Sequence, residues 1–553
     1  MAYFSLHAYD ADVWVPEFKG LNQSDVNMNP DMRFAAEAVN METPGGVLQP
    51  VAMDESLHGS ETFPAGASGE IGTLICFTRR WYTQDAHKEW FICSRGGHIY
   101  QRQKETGKPW EEIDLPIGLT ITDNRWSWVT YEQTVEPVGE DPYTIDVLLI
   151  SNAKDGMFMI SPPDRQASWG DAKEQNWLYH KGGTWMDMYS AKWTIQTIAC
   201  RGKKFGSIER SDERVWGTAI EEEPDMLYYS AVNDPTDWCL YTPDPDPLDP
   251  YQKQGQPEDG SGEIGCPTWD GDKFYGLKKF GDQLLAFKEK HVWRILNSYP
   301  GEYTINEQFG EGTKYIRTVA IYEERVFMMT DQGLSVYDGM NTSPFMRDNV
   351  KDIWLNVDRT KLDLICGAVF DDKYYVSFTS KDDEYDNRST LVYNLKEGTV
   401  LFYSGIGALC YQPTINELLY TMSGDSTTFL KKYDSWVTGS VPSLGSKWVS
   451  PWIDFGYKRI QKGGFDLYFV PEVKDEAMTL NISIQTEKKT KTKSYTIQPL
   501  TEEQLEAGRE HRGKRLHFGG TGRKFRVIIE TASEPKPWRL IGGLQMVVET
   551  DPD

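Results

Sequence analysis

One unit of sequence recurs along this chain and limits its fold more than any other feature. It is an apolar strand, a short polar or glycine turn, and a second strand that ends in an aromatic residue. It reads EWFICSRGGHIY at residues 89–100 and DVLLISNAKDGMFMI at 146–160. A copy with a longer turn spans 214–230, and others span 283–295, 325–337, 374–395 and 417–433. Alternating apolar and polar residues around Gly, Asn and Asp turns are the signature of a β-hairpin. Repetition every roughly 40 to 70 residues matches the blade spacing of a β-propeller. A small sheet cannot bury both faces alone, so such units must stack about an axis. The expected fold class is all-β: a β-propeller of seven blades, or six if one kernel is an elaboration. Unrelated hairpins in a sandwich or barrel are the alternative.

The regions around the kernels differ in character. Residues 1–70 are rich in Asn, Pro, Gly and Met, with one short helical pattern at 32–40. They read as an extended arm, whose strand would close the propeller by completing its last blade and removing an unpaired edge. The propeller itself is placed at 71–434. A Ser/Gly/Pro connection follows at 435–447. From 448 to 553 the alternation predicts a small β-sandwich, interrupted by one helix that starts at a capping box, Thr501 to Gln504, and ends at Gly508.

Composition narrows the function. With 83 Asp and Glu against 58 Lys and Arg, the net charge is −25. Nucleic-acid binding by phosphate neutralisation needs a basic surface, which the chain as a whole does not offer. An acidic wall would repel DNA and let it slide past; the same charge also serves plain solubility. The seven cysteines are scattered without a C-x-x-C pair, which argues against structural zinc and a disulfide framework and for a reducing cytosol. The first ten residues lack the basic and apolar regions of a signal peptide. No stretch has the apolar length of a membrane span.

Catalytic motifs are missing from the sequence. The eight histidines form no H-x-H or H-E-x-x-H pattern, and there is neither a G-x-S-x-G elbow nor a Walker loop. The string Gly260-Ser-Gly262-Glu-Ile-Gly265 has G-x-G-x-x-G spacing but follows a polar run and precedes Pro267, so it reads as a loop. His98 and His291 lie within kernels and read as satisfied structural histidines. Asp244, Asp246 and Asp249 sit on a proline-stiffened loop and are the weak candidates for a metal site, because three carboxylates suit calcium. The loop lacks the glycine and distal glutamate of an EF-hand, so a solvated surface is the favoured reading. The acidic run 382–386 reads as a hairpin tip. No cofactor and no catalytic residue is expected. A basic run, Lys488, Lys489, Lys491 and Lys493, is followed by Arg509, Arg512, Lys514, Arg515, Arg523, Lys524 and Arg526. It is either an ordinary charged face or a dock for an acidic neighbour.

Several segments together resemble a known family. FKGLNQ at 18–23, AAEAVNM at 35–41 and GGVL at 45–48 look like the entry segment of tail hub proteins of short-tailed bacteriophages. RVWG at 214–217, YYSAVNDPTDW at 228–238, GLKKFGDQLLAFK at 276–288 and DQGLSVYDG at 331–339 look like blades of those proteins. WVSPWIDFG at 448–456 and the two closing strands look like their C-terminal region. The resemblance covers most of the chain. It implies a virion tail hub, nozzle or packaged-DNA stabilisation protein, made in the host cytoplasm and without enzymatic activity. Its implied setting is a homo-hexameric ring below the portal and adaptor that contacts tail fibres, spikes or needles. Such a ring retains the packaged genome and then passes it during ejection, without specific DNA binding. Two other classes stay open: a receptor- or glycan-binding tail protein, and a propeller glycosidase. The second is weakened because no S-x-D-x-G-x-x-W box repeats.

Overall fold

A computed structural model describes residues 9–550 except 25–30, 57–61, 82–85, 105–106, 117, 136–142, 163–176, 180–184, 188–192, 300–301, 309, 425–427, 432–434, 442–443, 456–461, 502–512 and 532–535. The helix expected over 501–508 therefore lies outside the described residues, apart from Thr501. The chain is all-β and is built of many small antiparallel sheets.

Each recurring kernel supplies the second and third strands of one four-stranded sheet. The first sheet is Ile71–Trp81, Ala86–Arg95, His98–Gln103 and Glu111–Glu112; the second is Ser127–Val135, Tyr143–Asn152, Gly156–Ser161 and Thr194–Ile198. The third is Ser207–Ser211, Arg214–Thr218, Met226–Tyr229 and Gly262–Gly265, and the fourth Phe274–Phe280, Gln283–Lys288, Val292–Tyr299 and Glu302–Gln308. Ala320–Tyr322, Arg325–Thr330, Gly333–Tyr337 and Thr342–Pro344 form the fifth, and Cys366–Phe370, Lys373–Phe378, Ser389–Asn394 and Thr399–Ser404 the sixth. The seventh takes Cys410–Pro413, Leu418–Thr421 and Thr428–Leu430 from its own stretch, and its outermost strand, Glu55–Ser56, from the N-terminal segment.

The middle strands explain how these sheets pack. Gly156–Ser161 is buried at every position, and in Arg325–Thr330 and Lys373–Phe378 only the first residue escapes full burial. A strand buried on both faces needs an apolar neighbour on each side. Separate apolar clusters supply one. Ile75 and Phe77 of the first sheet meet Leu148 and Phe158 of the second, and Val147 of the second meets Val215 of the third. Trp216 joins the third to Leu284 of the fourth, and Phe287 joins the fourth to Met328 of the fifth. Phe327 and Tyr374 join the fifth and sixth, while Val392 and Leu418 join the sixth and seventh. Leu419 and Cys410 of the seventh pack on Leu74 and Cys93 of the first.

Two further sheets lie toward the C-terminus. One has the order Tyr9–Val15, Trp538–Thr550, Lys462–Val473, Lys514–Gly522; the other is Glu37–Val39, Lys447–Val449, Phe525–Thr531, Met478–Thr486, Thr490–Ile497. Their strands alternate buried and partly exposed residues, as in Phe525–Thr531, so each presents one apolar face. Both faces belong to one cluster that also holds residues of the fifth and sixth sheets.

The N-terminal segment does more than close the seventh sheet. Tyr9–Val15 pairs antiparallel with Leu544–Thr550, and Glu37–Val39 pairs with Lys447–Val449. Between them, Leu21 N donates to Val400 O at 2.6 Å and Asn40 N to Phe402 O at 3.0 Å, which hooks the segment onto the sixth sheet. Gly20 is required here, since a Cβ would lie 2.2 Å from Val400 O. The helix expected over 32–40 is corrected to a turn and a short strand. Its amides serve the edge of Lys447–Val449, and Asn40 takes the left-handed conformation (φ 53°) that ends the strand. The connection 435–447 carries a short helix, Ser435–Thr438, and the start of the strand Lys447–Val449.

Candidate functional site

Residues from the first strands of all seven sheets line one cavity of about 800 Å³. Two arginines brace it. Arg317, between the fourth and fifth sheets, donates through Nη2 to Gly72 O at 3.3 Å and to Leu409 O, which ties the first and seventh sheets together. Arg125, entering the second sheet, reaches Asp363 at 3.2 Å and Asp123 at 3.3 Å. Burial alone would raise the Asp123 carboxyl. The backbone N–H and guanidinium of Arg125 outweigh that and hold it below the usual carboxylate range.

A second cavity, about 580 Å³, lies on the outer part of the first sheet. Trp90 and Trp193 form its wall, edge to face with centroids 5.5 Å apart. Gln101 donates to Glu111 Oε2 at 2.8 Å, and His98 Nδ1 pairs with Glu112 at 2.6 Å beside it. Flat aromatic walls next to amide and carboxylate groups suit a polyhydroxylated ligand. No single residue in the sequence announces this cavity, because it forms where the loop before Glu111–Glu112 meets the end of the second sheet's insertion.

The acidic candidates come out as follows. Asp244, Asp246 and Asp249 lie in the connection from Tyr229 to Gly262. Asp246 Oδ1 accepts from Leu248 N at 2.9 Å, and Asp249 accepts from Tyr251 N at 2.9 Å and from Gln252 Nε2 at 3.0 Å. Asp246 and Asp249 shape the loop's turns, and among the described residues no three His, Cys, Asp or Glu side chains are grouped to hold a metal ion. The connection is anchored from beneath by Arg214. Its buried guanidinium donates to Ser230 O at 2.6 Å, Gly260 O at 2.5 Å and Glu258 O. The glycine string is only partly a loop: Gly262–Gly265 is the fourth strand of the third sheet. Its glycines make room for tyrosines, since a Cβ at Gly262 would lie 2.1 Å from the Tyr229 hydroxyl and one at Gly260 2.6 Å from Tyr241 N. Between two strands of the sixth sheet, Asp383 accepts from Ser380 N at 2.7 Å and Ser389 Oγ at 3.1 Å, and burial raises its carboxyl.

Other titratable residues are held by neighbouring groups. His291 is held between Glu307 at 2.5 Å and Asp270 at 3.4 Å. All seven cysteines are free thiols, and burial pushes the thiol up at Cys93, Cys200 and Cys366. The Lys288 ammonium is fully buried and joins Asp225 at 2.5 Å, Cys266 O at 2.8 Å and Asp272 O at 2.7 Å. Sequence reasoning missed Arg214, Lys288 and Arg317, since a cation satisfied by carbonyls distant in sequence has no local signature. Of the basic run, Lys491, Lys493, Lys514 and Arg515 fall on the strands Thr490–Ile497 and Lys514–Gly522, each at a sheet edge, while Lys488, Lys489, Arg523 and Lys524 lie in turns and Arg526 on Phe525–Thr531; Arg509 and Arg512 lie outside the described residues. Among the described residues no helix is long and apolar enough to cross a membrane.

No family model and no curated protein matches the chain. Solved structures that share a likeness include PorZ, a surface component of the type-IX secretion system of Porphyromonas gingivalis. It is 13% identical with a TM-score of 0.27 over 67% of this chain, which spans less than half (46%) of the PorZ chain. An exo-β-1,3-galactanase from Phanerochaete chrysosporium is 8% identical with a TM-score of 0.24, covering 90% of this chain and 100% of that one. The extracellular domain of a hybrid two-component system from B. thetaiotaomicron is 10% identical with a TM-score of 0.21, covering 88% and 65%. Likeness at this level assigns neither family nor activity.

Proposed function

We propose that the chain is a structural subunit of a bacteriophage tail hub or nozzle ring. In this reading the seven four-stranded sheets form a seven-bladed β-propeller and the two C-terminal sheets a sandwich docked on it. The observation that carries the reading is mechanical. The N-terminal segment pairs with the last strand of the chain, lends a strand to the seventh sheet and hooks onto the sixth. A pull on either end is thereby shared by many hydrogen bonds and one continuous core. In this reading the DNA conduit is formed between copies of the chain. The net charge of −25 would line such a conduit with a surface that DNA does not adhere to. The resemblance of the entry and blade segments to tail hub proteins points the same way. Mass measurement and electron microscopy of the purified protein with its portal and adaptor test the reading. A six-fold ring under the adaptor is the expected result, and a protein that never enters a ring overturns it.

A second reading, a glycan-binding tail protein, is favoured by the cavity walled by Trp90 and Trp193. A glycan array checks it: saccharide binding that Trp193→Ala abolishes supports it, and uniform silence rejects it.

A further inference from the structure

Charge is divided unevenly along this chain. Residues 447–553 hold 18 Lys and Arg against 15 Asp and Glu, whereas residues 1–446 hold 40 against 68. The basic excess is concentrated at one place in the fold. Thr490–Ile497 and Lys514–Gly522 are the edge strands of the two C-terminal sheets. Lys491 pairs with Ile484 and Lys493 with Ile482, both buried, and Lys514 pairs with the buried Phe469. Directly opposed residues share a face, so these three lysines rise on the inner side of the two edges, over the open end of the paired sheets. The Lys493 ammonium lies 5.5 Å from the Phe518 ring, and a Cβ at Gly519 would lie 3.7 Å from Lys491 Nζ. Lys491 therefore reaches across the gap toward the opposite edge. Among the described residues, none of Lys488, Lys489, Lys491, Lys493 and Lys514 pairs with a carboxylate.

Edge lysines commonly keep sheets from pairing with strangers. A single lysine does that. A row of them gathered over one gap, with half-buried Leu516 and Tyr495 beneath, is instead a cationic rim around an apolar floor.

The complement lies in the same chain. Residues 230–261 carry seven Asp and Glu and a single Lys. Arg214 fixes this connection through three carbonyls, and Asp237 binds Tyr241 at 2.8 Å and Lys253 at 2.9 Å within it. At its tip Leu248 is 89% exposed, between prolines and flanked by Asp244, Asp246 and Asp249. Among the described residues no Lys or Arg pairs with these three aspartates. An apolar anchor within a charged rim is how association surfaces are built. The connection belongs to the third sheet, while the C-terminal sheets pack on the fifth and sixth.

We infer that the lysine rim at the C-terminal sheet edges docks the 230–261 connection of a second copy, with Leu248 seated over Leu516 and Tyr495. This contact rests on the ring reading above and supplies its subunit joint. It is head-to-tail, the kind that closes into rings.

Sedimentation of the purified full chain across a concentration series tests it, together with charge-reversed pairs. Self-association in 50 mM salt should weaken about tenfold or more in 500 mM salt. Lys491→Glu with Lys493→Glu should abolish it, as should Asp244→Lys with Asp246→Lys. An equimolar mixture of the two variants should restore it, which also shows that both are folded. Three results would overturn the joint: a wild-type chain that stays monomeric in low salt, association that neither variant alters, or lysine variants that lose only duplex DNA or anionic vesicle binding. In each case imaging of the adaptor-bound protein still decides the ring reading separately.

Discussion

The seven-sheet body and the C-terminal pair of sheets are built from the same residue types, yet they bury them with different rhythms. In the body, middle strands such as Gly156–Ser161 and Gly333–Tyr337 are buried throughout. In the C-terminal pair, Met478–Thr486 and Phe525–Thr531 alternate. Unbroken burial means a layer on each side, whereas alternation means one. Charge follows the same division, since the open edge strand Thr490–Ile497 and the turn before it have room for the lysines of 488–493. The body is acidic and locked from within by buried cations, while the C-terminal pair is basic at its rim. One cluster crosses the boundary, through Phe18, Ala38 and Trp448.

That crossing is where the comparison breaks most easily. Trp448 is fully buried and meets Phe18 edge to face at 5.4 Å. Trp448→Ala should cost about 4 kcal/mol. Denaturation followed by circular dichroism should still show one transition, shifted for both regions. Two separated transitions would mean that the regions are independent. Arg214→Met should cost about 3 kcal/mol through three orphaned carbonyls. It should loosen 230–261 to limited proteolysis and leave the C-terminal sheets protected.

Two carboxyls sharpen the contrast in pH dependence. Glu42 is buried and accepts from Tyr403 at 2.8 Å, and burial raises its carboxyl despite nearby Lys431. A folded value above the unfolded one gives stability that is complete at low pH and lost as pH rises through the folded value. Glu42→Gln should therefore be more stable than wild type at pH 8 and equal to it at pH 4 in thermal melts. Asp466 goes the other way: its hydrogen bond from Arg515 at 2.6 Å, then that from His517, lowers it. Its contribution is present above the unfolded value and fades as pH falls through the folded one. Because Arg515 is largely exposed, solvent screens the pair, and Asp466→Asn should change the melting temperature only slightly at pH 7 and less still as pH falls through the folded value.

The hairpins were legible because their turn chemistry and alternation are local. So were most strands after 462. Tyr9–Val15 and Glu37–Val39 were not, because their partners lie hundreds of residues away and nothing nearby marks them. At 32–40 a helical spacing misled, since Ala35, Ala38 and Met41 are buried by contact with other layers and not along one helix face. The strands Lys447–Val449 and Lys514–Gly522 were hidden by polar ends. Of the sites, Asp244, Asp246 and Asp249 were found as acids, but their role as a loop's exposed rim depends on Arg214 beneath them.

The central claim is that the N-terminal segment fastens both regions into one body. Native-state hydrogen exchange tests it at the amides of 327–336, 391–393, 447–449 and 544–548. The account predicts that all four groups open with the same free energy, equal to that of global unfolding. Release of 447–449 and 544–548 at a clearly lower free energy than the other two would contradict it.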